Sequence, residues 1–373
     1  MLGENIKKLG KLGFGLMRLP KNGDVIDVEQ TKKMVDLFMD AGFTYFDTAW
    51  AYAGSEDAIR QALVERYPRE SYQLATKNAA WINCKTKEEA QAQFDTSLKQ
   101  TGAGYFDFYL LHNLGEARTH YFDDFDMWNW VQEKKAAGLI KHVGFSFHST
   151  PEELEEILKA HPEMEFVQLQ INYLDWEDEK IQSRKCYEVC VKHQKPVIVM
   201  EPIKGGRLAG LPEEAERLLK AKEPESSIAS WAVRYAASLE NVMVVLSGMS
   251  TPEQVADNVA YMQDFQPLNE EEHALVEQAA EITRKSITIG CTSCRYCTDG
   301  CPQSIPIPSL FTVYNDYRRF AALGKAQYVT EYKWATDKAG KASDCIGCRQ
   351  CEEHCPQHLE ITEWLKTIAE TFE

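Results

Sequence analysis

The chain has 373 residues, enough for a barrel-sized domain of about 250 residues plus a smaller one. Its 41 basic and 57 acidic residues give a formal charge of −16, which leaves no electrostatic footprint for nucleic acid or an anionic membrane. No run approaches the roughly 18 apolar residues of a membrane span, and the first residues lack the basic and apolar regions of a signal peptide, so a cytoplasmic protein is expected.

Between residue 10 and about 265, short apolar runs alternate with helix-like segments. The expected strands are Leu12–Leu16, Tyr45–Ala49, Tyr72–Thr76, Phe106–His112, His142–Phe147, Phe166–Asn172, Val197–Glu201 and Met243–Gly248. Such runs suit a buried parallel sheet covered by helices. Asp27 with Gln30 opens the first long helix. Thr150-Pro151-Glu152-Glu153 and Thr251-Pro252-Glu253-Gln254 have the form of capping boxes with proline at the first helical position. Eight β-α units in one run predict an α/β fold, a (β/α)8 TIM barrel over residues 1–285. The runner-up is a doubly wound open sheet. No strand is followed by G-x-G-x-x-G, which weakens a Rossmann reading.

After about residue 286 the chain becomes cysteine-rich and punctuated by proline. Of the eleven cysteines, Cys84, Cys186 and Cys190 read as ordinary core or surface thiols, and the other eight lie between 291 and 355. Their spacing repeats: Cys291-x2-Cys294-x2-Cys297-x3-Cys301-Pro302, then Cys345-x2-Cys348-x2-Cys351-x3-Cys355-Pro356. This is the bacterial ferredoxin pattern, present twice, in which the fourth cysteine of each run ligates the other cluster. Two [4Fe–4S] clusters are therefore expected over residues 286–373, in a small ferredoxin-like dicluster domain. One is assigned Cys291, Cys294, Cys297 and Cys355; the other Cys345, Cys348, Cys351 and Cys301. The competing reading is a pair of structural zinc sites, which usually present two separated C-x2-C pairs. A disulfide framework is out of keeping with a cytoplasmic chain.

Barrel active sites form at the C-terminal ends of the strands. There the sequence gathers Asp47 after the second strand with Tyr52 close behind, Lys77 after the third, and His112 after the fourth. A carbonyl that receives a hydride needs a proton on oxygen, and a tyrosine hydroxyl with an unperturbed pKa of about 10 is a candidate donor. A neighbouring lysine is expected to lower that pKa, an aspartate to orient the lysine, and a histidine to position the carbonyl. Trp50 and Trp81 either line a substrate pocket or pack the rim loops.

Several stretches carry a resemblance to the aldo-keto reductase family. They are Gly13-Phe14-Gly15, Phe46-Asp47-Thr48-Ala49, Tyr52-Ala53-Gly54-Ser55-Glu56, Leu74-Ala75-Thr76-Lys77, Asp107 to His112, Gly144-Phe145-Ser146 and Gln170-Ile171-Asn172-Tyr173. The resemblance implies a tetrad of Asp47, Tyr52, Lys77 and His112, with Tyr52 as general acid, and NADP or NAD as cofactor. It implies that Ser146 and Gln170 contact the nicotinamide amide. Met200 stands where many members stack a tyrosine on the ring, Phe147 where many carry an asparagine, and Leu16 where a threonine is common. Lys204 and Gly205, in Lys204-Gly205-Gly206-Arg207, suit a pyrophosphate as a glycine turn with two cations. Gly248 and Gln254 bound a stretch in which NADP-preferring members often carry a lysine and an arginine near the 2′-phosphate, and no Lys or Arg occurs between 243 and 262. Asp257 and Asn258 match adenine-contacting positions. The choice between NADH and NADPH stays open.

Barrel and tail together resemble aldo-keto reductases with a C-terminal ferredoxin-like domain. Three functions fit the sequence: an NAD(P)-dependent reductase or dehydrogenase of a small carbonyl or alcohol; an electron-transfer enzyme whose clusters serve ferredoxin or another redox partner; and a non-enzymatic module that senses NAD(P) or redox state. Nicotinamide moves two electrons and each cluster one, and the sequence shows no flavin signature to bridge them.

Overall fold

The computed structural model describes residues 9–115, 118–179, 181–298 and 300–373. Eight parallel strands close into a barrel: β1 (Leu12–Gly15), β2 (Tyr45–Asp47), β3 (Gln73–Asn78), β4 (Phe106–Leu114), β5 (Ile140–Phe147), β6 (Phe166–Gln170), β7 (Val197–Met200) and β8 (Val242–Ser247). Each strand pairs with its neighbours in sequence, and β8 returns to β1 through Leu12↔Val245 and Phe14↔Ser247. Closure excludes the open doubly wound sheet. All eight expected strands form, with shifted ends. β3 runs on to Asn78, so Lys77 lies within it. β2 ends at Asp47, although Thr48 N and Trp50 N still donate to Ala75 O and Lys77 O of β3.

The period of two along a strand sorts the side chains. Tyr45, Ala75, Phe108, Leu110, Phe166, Ile198, Val244 and Leu246 form one buried cluster inside the barrel. Their neighbours Phe46, Leu74, Tyr109, Leu111, Val167, Val199 and Val245 join the larger core beneath the helices. Carrying the inner parity toward the C-terminal ends gives Asp47 after Tyr45, Lys77 after Ala75, His112 after Leu110, Gln168 and Gln170 after Phe166, and Met200 after Ile198. The fold thus aims into one mouth the residues that chemistry singles out.

The surrounding helices start as their sequences prescribe. Asp27 Oδ1 accepts from Gln30 N at 2.9 Å, and the Thr150 and Thr251 hydroxyls accept from Glu153 N and Gln254 N, each at 3.3 Å. The helix Val28–Asp40 lays Met34, Val35 and Phe38 on the barrel. Among the described residues no helix is long and apolar enough to cross a membrane.

The chain divides into two compact units, the first comprising the chain up to Ile203 with Ser230–His273 and the second Lys204–Ala229 with Ala274–Glu373. The second unit has its own core, built by the helices Ile307–Arg319, Gly324–Thr336 and Ile361–Phe372. Leu310, Phe311, Tyr328, Leu365, Ile368 and Phe372 pack at its centre.

Candidate active site and cluster cavities

At the barrel mouth Lys77 is wholly buried, and its ammonium donates to the Asp47 carboxylate and, at 2.7 Å, to Thr48 O. Gln168 Nε2 donates to the other Asp47 oxygen at 3.1 Å. The Lys77 ammonium stands 5.0 Å from the centroid of the Tyr52 ring, and the Tyr52 and His112 rings meet edge to face at 5.8 Å. Asp47, Lys77, Tyr52 and His112 therefore come together. The turn that carries Tyr52 is fixed from behind: Gly54, at φ +76°, admits the chain to the short helix Ser55–Ile59. Ser55 Oγ bonds Thr48 Oγ1 and donates to Leu16 O, and Thr76 Oγ1 donates to the buried Glu56 carboxylate at 2.6 Å.

Burial and charge compete at each group. Burial pulls the Lys77 ammonium down, but the Asp47 carboxylate and the Tyr52 oxygen more than offset it and hold the lysine above its ordinary value. Burial pushes the Asp47 carboxyl up, against the Lys77 ammonium and the Gln168 amide. At Tyr52, burial likewise dominates and raises the hydroxyl above the ordinary tyrosine value. The downward pull expected from Lys77 is present but outweighed, and Asp47 adds to the rise. His112 is driven well below the ordinary histidine value, first by burial and then by Lys77, His148 and Arg118. Its imidazole is neutral, and Nδ1 is buried without a protein partner among the described residues.

The nucleotide-contact residues are placed as follows. Ser146 Oγ accepts from Asn113 N at 2.7 Å, which leaves its O–H to donate. Gln170 Nε2 is engaged by Asp175 at 2.9 Å, and Met200 is half-buried at the end of β7. Gln254 Oε1 folds back to accept from Ser250 N at 2.7 Å. Asn258 is buried and donates to Gln254 O, while its Oδ1 has no partner among the described residues. Asp257, on the same helix, is half-buried. Lys204 and Gly205 fall in the second unit. There Arg207 of the same turn is committed to Asp316 at 2.9 Å and Glu331 at 2.6 Å, and a Cβ on Gly206 would meet Leu323 at 2.8 Å. Packing of the second unit therefore accounts for much of this turn, and Arg207 is not a spare cation.

Three rim residues escaped the sequence reading. Gln168 lies two residues before Gln170, so parity alone would have found it. Glu56 gives no signal beyond its place behind Tyr52. Arg18 supplies a cation beside Gly248: its Cδ lies 3.6 Å from where a Gly248 Cβ would stand, and its carbonyl accepts from Ser250 Oγ at 2.6 Å. Residues 243–262 hold no cation of their own, and Arg18 comes to them because β1 and β8 are neighbours in the closed barrel.

In the second unit the eight tail cysteines sort into two cavities. Cys291, Cys294, Cys297 and Cys355 line one. Cys301, Cys345, Cys348 and Cys351 line the other. Each cavity thus holds three cysteines of one run and the last of the other. Apolar side chains complete the walls, Pro308, Phe311 and Leu359 in the first, Ile305, Ile307 and Leu365 in the second. The halves also match in exposure: Cys297 and Cys351 are buried, Cys294 and Cys348 exposed. Burial pushes the Cys297 and Cys351 thiols each up to about 11, and neighbouring sulfurs add to the rise, among them Cys355 for Cys297 and Cys301 for Cys351. Four soft thiols around an apolar hollow fit an iron–sulfur cluster. No set of three or more His, Cys, Asp or Glu among the described residues closes around a single metal ion.

Comparison with known proteins matches two family models to successive parts of the chain. The model of the "Aldo/keto reductase family" matches residues 11–281, and that of the "4Fe-4S dicluster domain" matches residues 290–359. A 9,11-endoperoxide prostaglandin H2 reductase of Trypanosoma cruzi is 24% identical over 282 residues, 75% of this chain and 91% of that protein. An aldo-keto reductase of Mycobacterium avium is 27% identical over 254 residues, 68% of this chain and 80% of its own. Among solved structures, aldo-keto reductase AKR11C1 of Bacillus halodurans in its holo form superimposes with a TM-score of 0.59 at 24% identity, covering 73% of this chain and 92% of that one. A Klebsiella pneumoniae aldo/keto reductase in complex with NADP and acetate gives 0.59 at 21% identity, covering 72% and 91%. The chain belongs to the aldo/keto reductase family of oxidoreductases and carries a C-terminal 4Fe-4S dicluster domain.

Proposed function

We propose that the barrel is an NAD(P)-dependent carbonyl reductase in which Tyr52 is the general acid. The observation that carries this reading is the convergence of Tyr52, Lys77, Asp47 and His112 at one end of the barrel, with Lys77 held charged against the Tyr52 ring. The reduced nicotinamide, when bound, supplies a hydride to the carbonyl carbon. Tyr52 gives its hydroxyl proton to the carbonyl oxygen, and the Lys77 ammonium stabilises the phenolate left behind. Asp47, gripped by Gln168, keeps Lys77 aimed. Neutral His112 is left to hydrogen-bond the carbonyl without competing as an acid. Ser146, Gln170 and Met200 hold the nicotinamide end of the nucleotide, while Gly248, Gln254, Asp257 and Asn258 hold the adenosine end. Arg18 offers that end a cation, which favours NADPH. In the alcohol-oxidising direction each proton movement reverses.

The two thiol cavities hold one [4Fe–4S] cluster each, with Cys355 and Cys301 exchanged between the runs. A bound cluster supplies one-electron transfer. Exposure of Cys294 and Cys348 favours a second reading for this unit, electron exchange with ferredoxin or another redox protein. The test of the barrel is Tyr52→Phe, assayed as carbonyl-dependent NAD(P)H oxidation. Unchanged activity overturns the proposal. The test of the tail is anaerobic iron and sulfide counting with EPR during NADPH and reduced-ferredoxin titration.

A further inference from the structure

Beside the catalytic imidazole stands a guanidinium that none of the roles above uses. Arg118 follows β4, and its Cζ sits 5.1 Å from the centroid of the Trp81 ring, within cation–π range. The Trp81 platform is itself fixed: Nε1 donates to His112 O at 2.9 Å, and its ring meets the His112 ring at 6.3 Å. His112 in turn contacts Tyr52. A continuous row therefore runs from the proton donor through His112 and Trp81 to Arg118, all within the barrel unit.

Arg118 is half-buried and, among the described residues, makes one side-chain hydrogen bond, Nη1 to Asn113 Oδ1 at 3.1 Å. Among the described residues no carboxylate pairs with it, although the chain has 57 acidic residues and an excess of negative charge. Two other half-buried arginines are matched by carboxylates, Arg69 by Asp107 and Arg207 by Asp316 and Glu331, while Arg319 spends its guanidinium on Thr283 O and Arg284 O. The field of Arg118 reaches the site, because it depresses both His112 and His148, behind burial in each case. Asn113, its polar anchor, holds a left-handed backbone at φ +63° directly after His112 and is tied by its N–H to Ser146. A residue kept in that region beside a catalytic group is strain that the surroundings sustain.

We infer that Arg118 is the specificity determinant of the barrel site, and that the substrate is a carbonyl compound carrying a carboxylate. The inference rests on the carbonyl-reduction reading. The guanidinium fork recognises a carboxylate through two parallel charge-assisted hydrogen bonds, and Trp81 keeps its plane in position for the approach. Neutral His112 takes the carbonyl oxygen while Arg118 takes the acid, so one substrate spans the row from Tyr52 to Arg118. His148, held to about 4 and hence neutral, adds no competing charge.

The test measures kcat/KM of the full chain with NADPH and with NADH for 4-carboxybenzaldehyde and 4-methylbenzaldehyde, in wild type, Arg118→Gln and Arg118→Lys. Loss of a hydrogen-bonded charge is expected to collapse the wild-type preference for the carboxylated aldehyde by roughly tenfold to hundredfold in Arg118→Gln. Arg118→Lys is expected to restore part of it. A residue that merely packs the loop lowers both rates together, so an unchanged ratio overturns the inference. If wild type reduces neither aldehyde, the carbonyl-reduction reading fails, and calorimetric binding of benzoate against benzamide then decides the anion site. Benzoate binding that disappears in Arg118→Gln supports the site, and equal binding of both ligands by wild type overturns it.

Discussion

The barrel mouth and the cysteine tail solve the same problem, gathering distant groups, by opposite means. In the barrel, Asp47, Lys77 and His112 sit on three successive strands, and only the parallel pairing of those strands and the alternation of side chains bring them together. In the tail, three cysteines of each cavity are neighbours within seven residues, and only the fourth arrives from the other run. One site is encoded by fold and the other chiefly by spacing. A substitution that loosens the barrel should therefore injure its chemistry, whereas the tail should depend on the thiols themselves.

The largest expected effect lies at the mouth. Tyr52→Phe removes the proposed proton donor without changing the ring that packs on His112, and should lower kcat for carbonyl reduction by about 10²–10⁴-fold. Iron content of the same variant should match wild type, which separates the two sites. In the tail, Cys355→Ser should reduce iron from roughly eight to roughly four atoms per chain. Its remaining EPR signal should match that of Cys291→Ser rather than that of Cys345→Ser. If Cys355→Ser instead behaves like the cysteines of its own run, the exchange of fourth ligands is wrong.

A smaller effect is expected on stability. Asp47→Asn leaves the fully buried Lys77 ammonium without its counter-charge, which should cost about 3–5 kcal/mol in barrel unfolding followed by tryptophan fluorescence. A cost below about 1 kcal/mol would mean that Gln168 and Thr48 alone satisfy the lysine.

The eight strands were legible because each is a short apolar run between helix-like segments, and several close on a polar rim residue. Tyr45-Phe46-Asp47 and Phe108 to His112 announce both the strand and the chemistry at its end. The grouping of the cysteines around the two cavities was legible because the run repeats. What escaped depends on contacts between strands far apart in sequence. Arg18 lies about 230 residues from the Gly248 segment and becomes its neighbour only through the β1–β8 pairing. The Lys204-Gly205-Gly206-Arg207 turn reads as a phosphate loop from composition, yet Arg207 finds two carboxylates more than a hundred residues away. The sign of the Tyr52 shift was missed because burial, a property of the assembled fold, outweighs the lysine that the sequence makes visible.

That shift sets the smallest expected effect, which is a flat line. His112 lies well below its ordinary value, so it stays neutral from about pH 6 upward and contributes no acid limb near 6.5. Tyr52 is raised, and reduction needs it protonated, so reduction loses rate only as the pH passes above the usual tyrosine value of about 10. Alcohol oxidation needs the phenolate and should rise across the same range. The profile of kcat/KM for carbonyl reduction between pH 6 and 9, at saturating NADPH, should therefore be level within about twofold. An acid limb near 6.5 that vanishes in His112→Gln would show the imidazole titrating in the working enzyme. Burial would then be a weaker force at the barrel mouth than the packing around His112 implies, and the contrast between a fold-encoded and a spacing-encoded site would narrow.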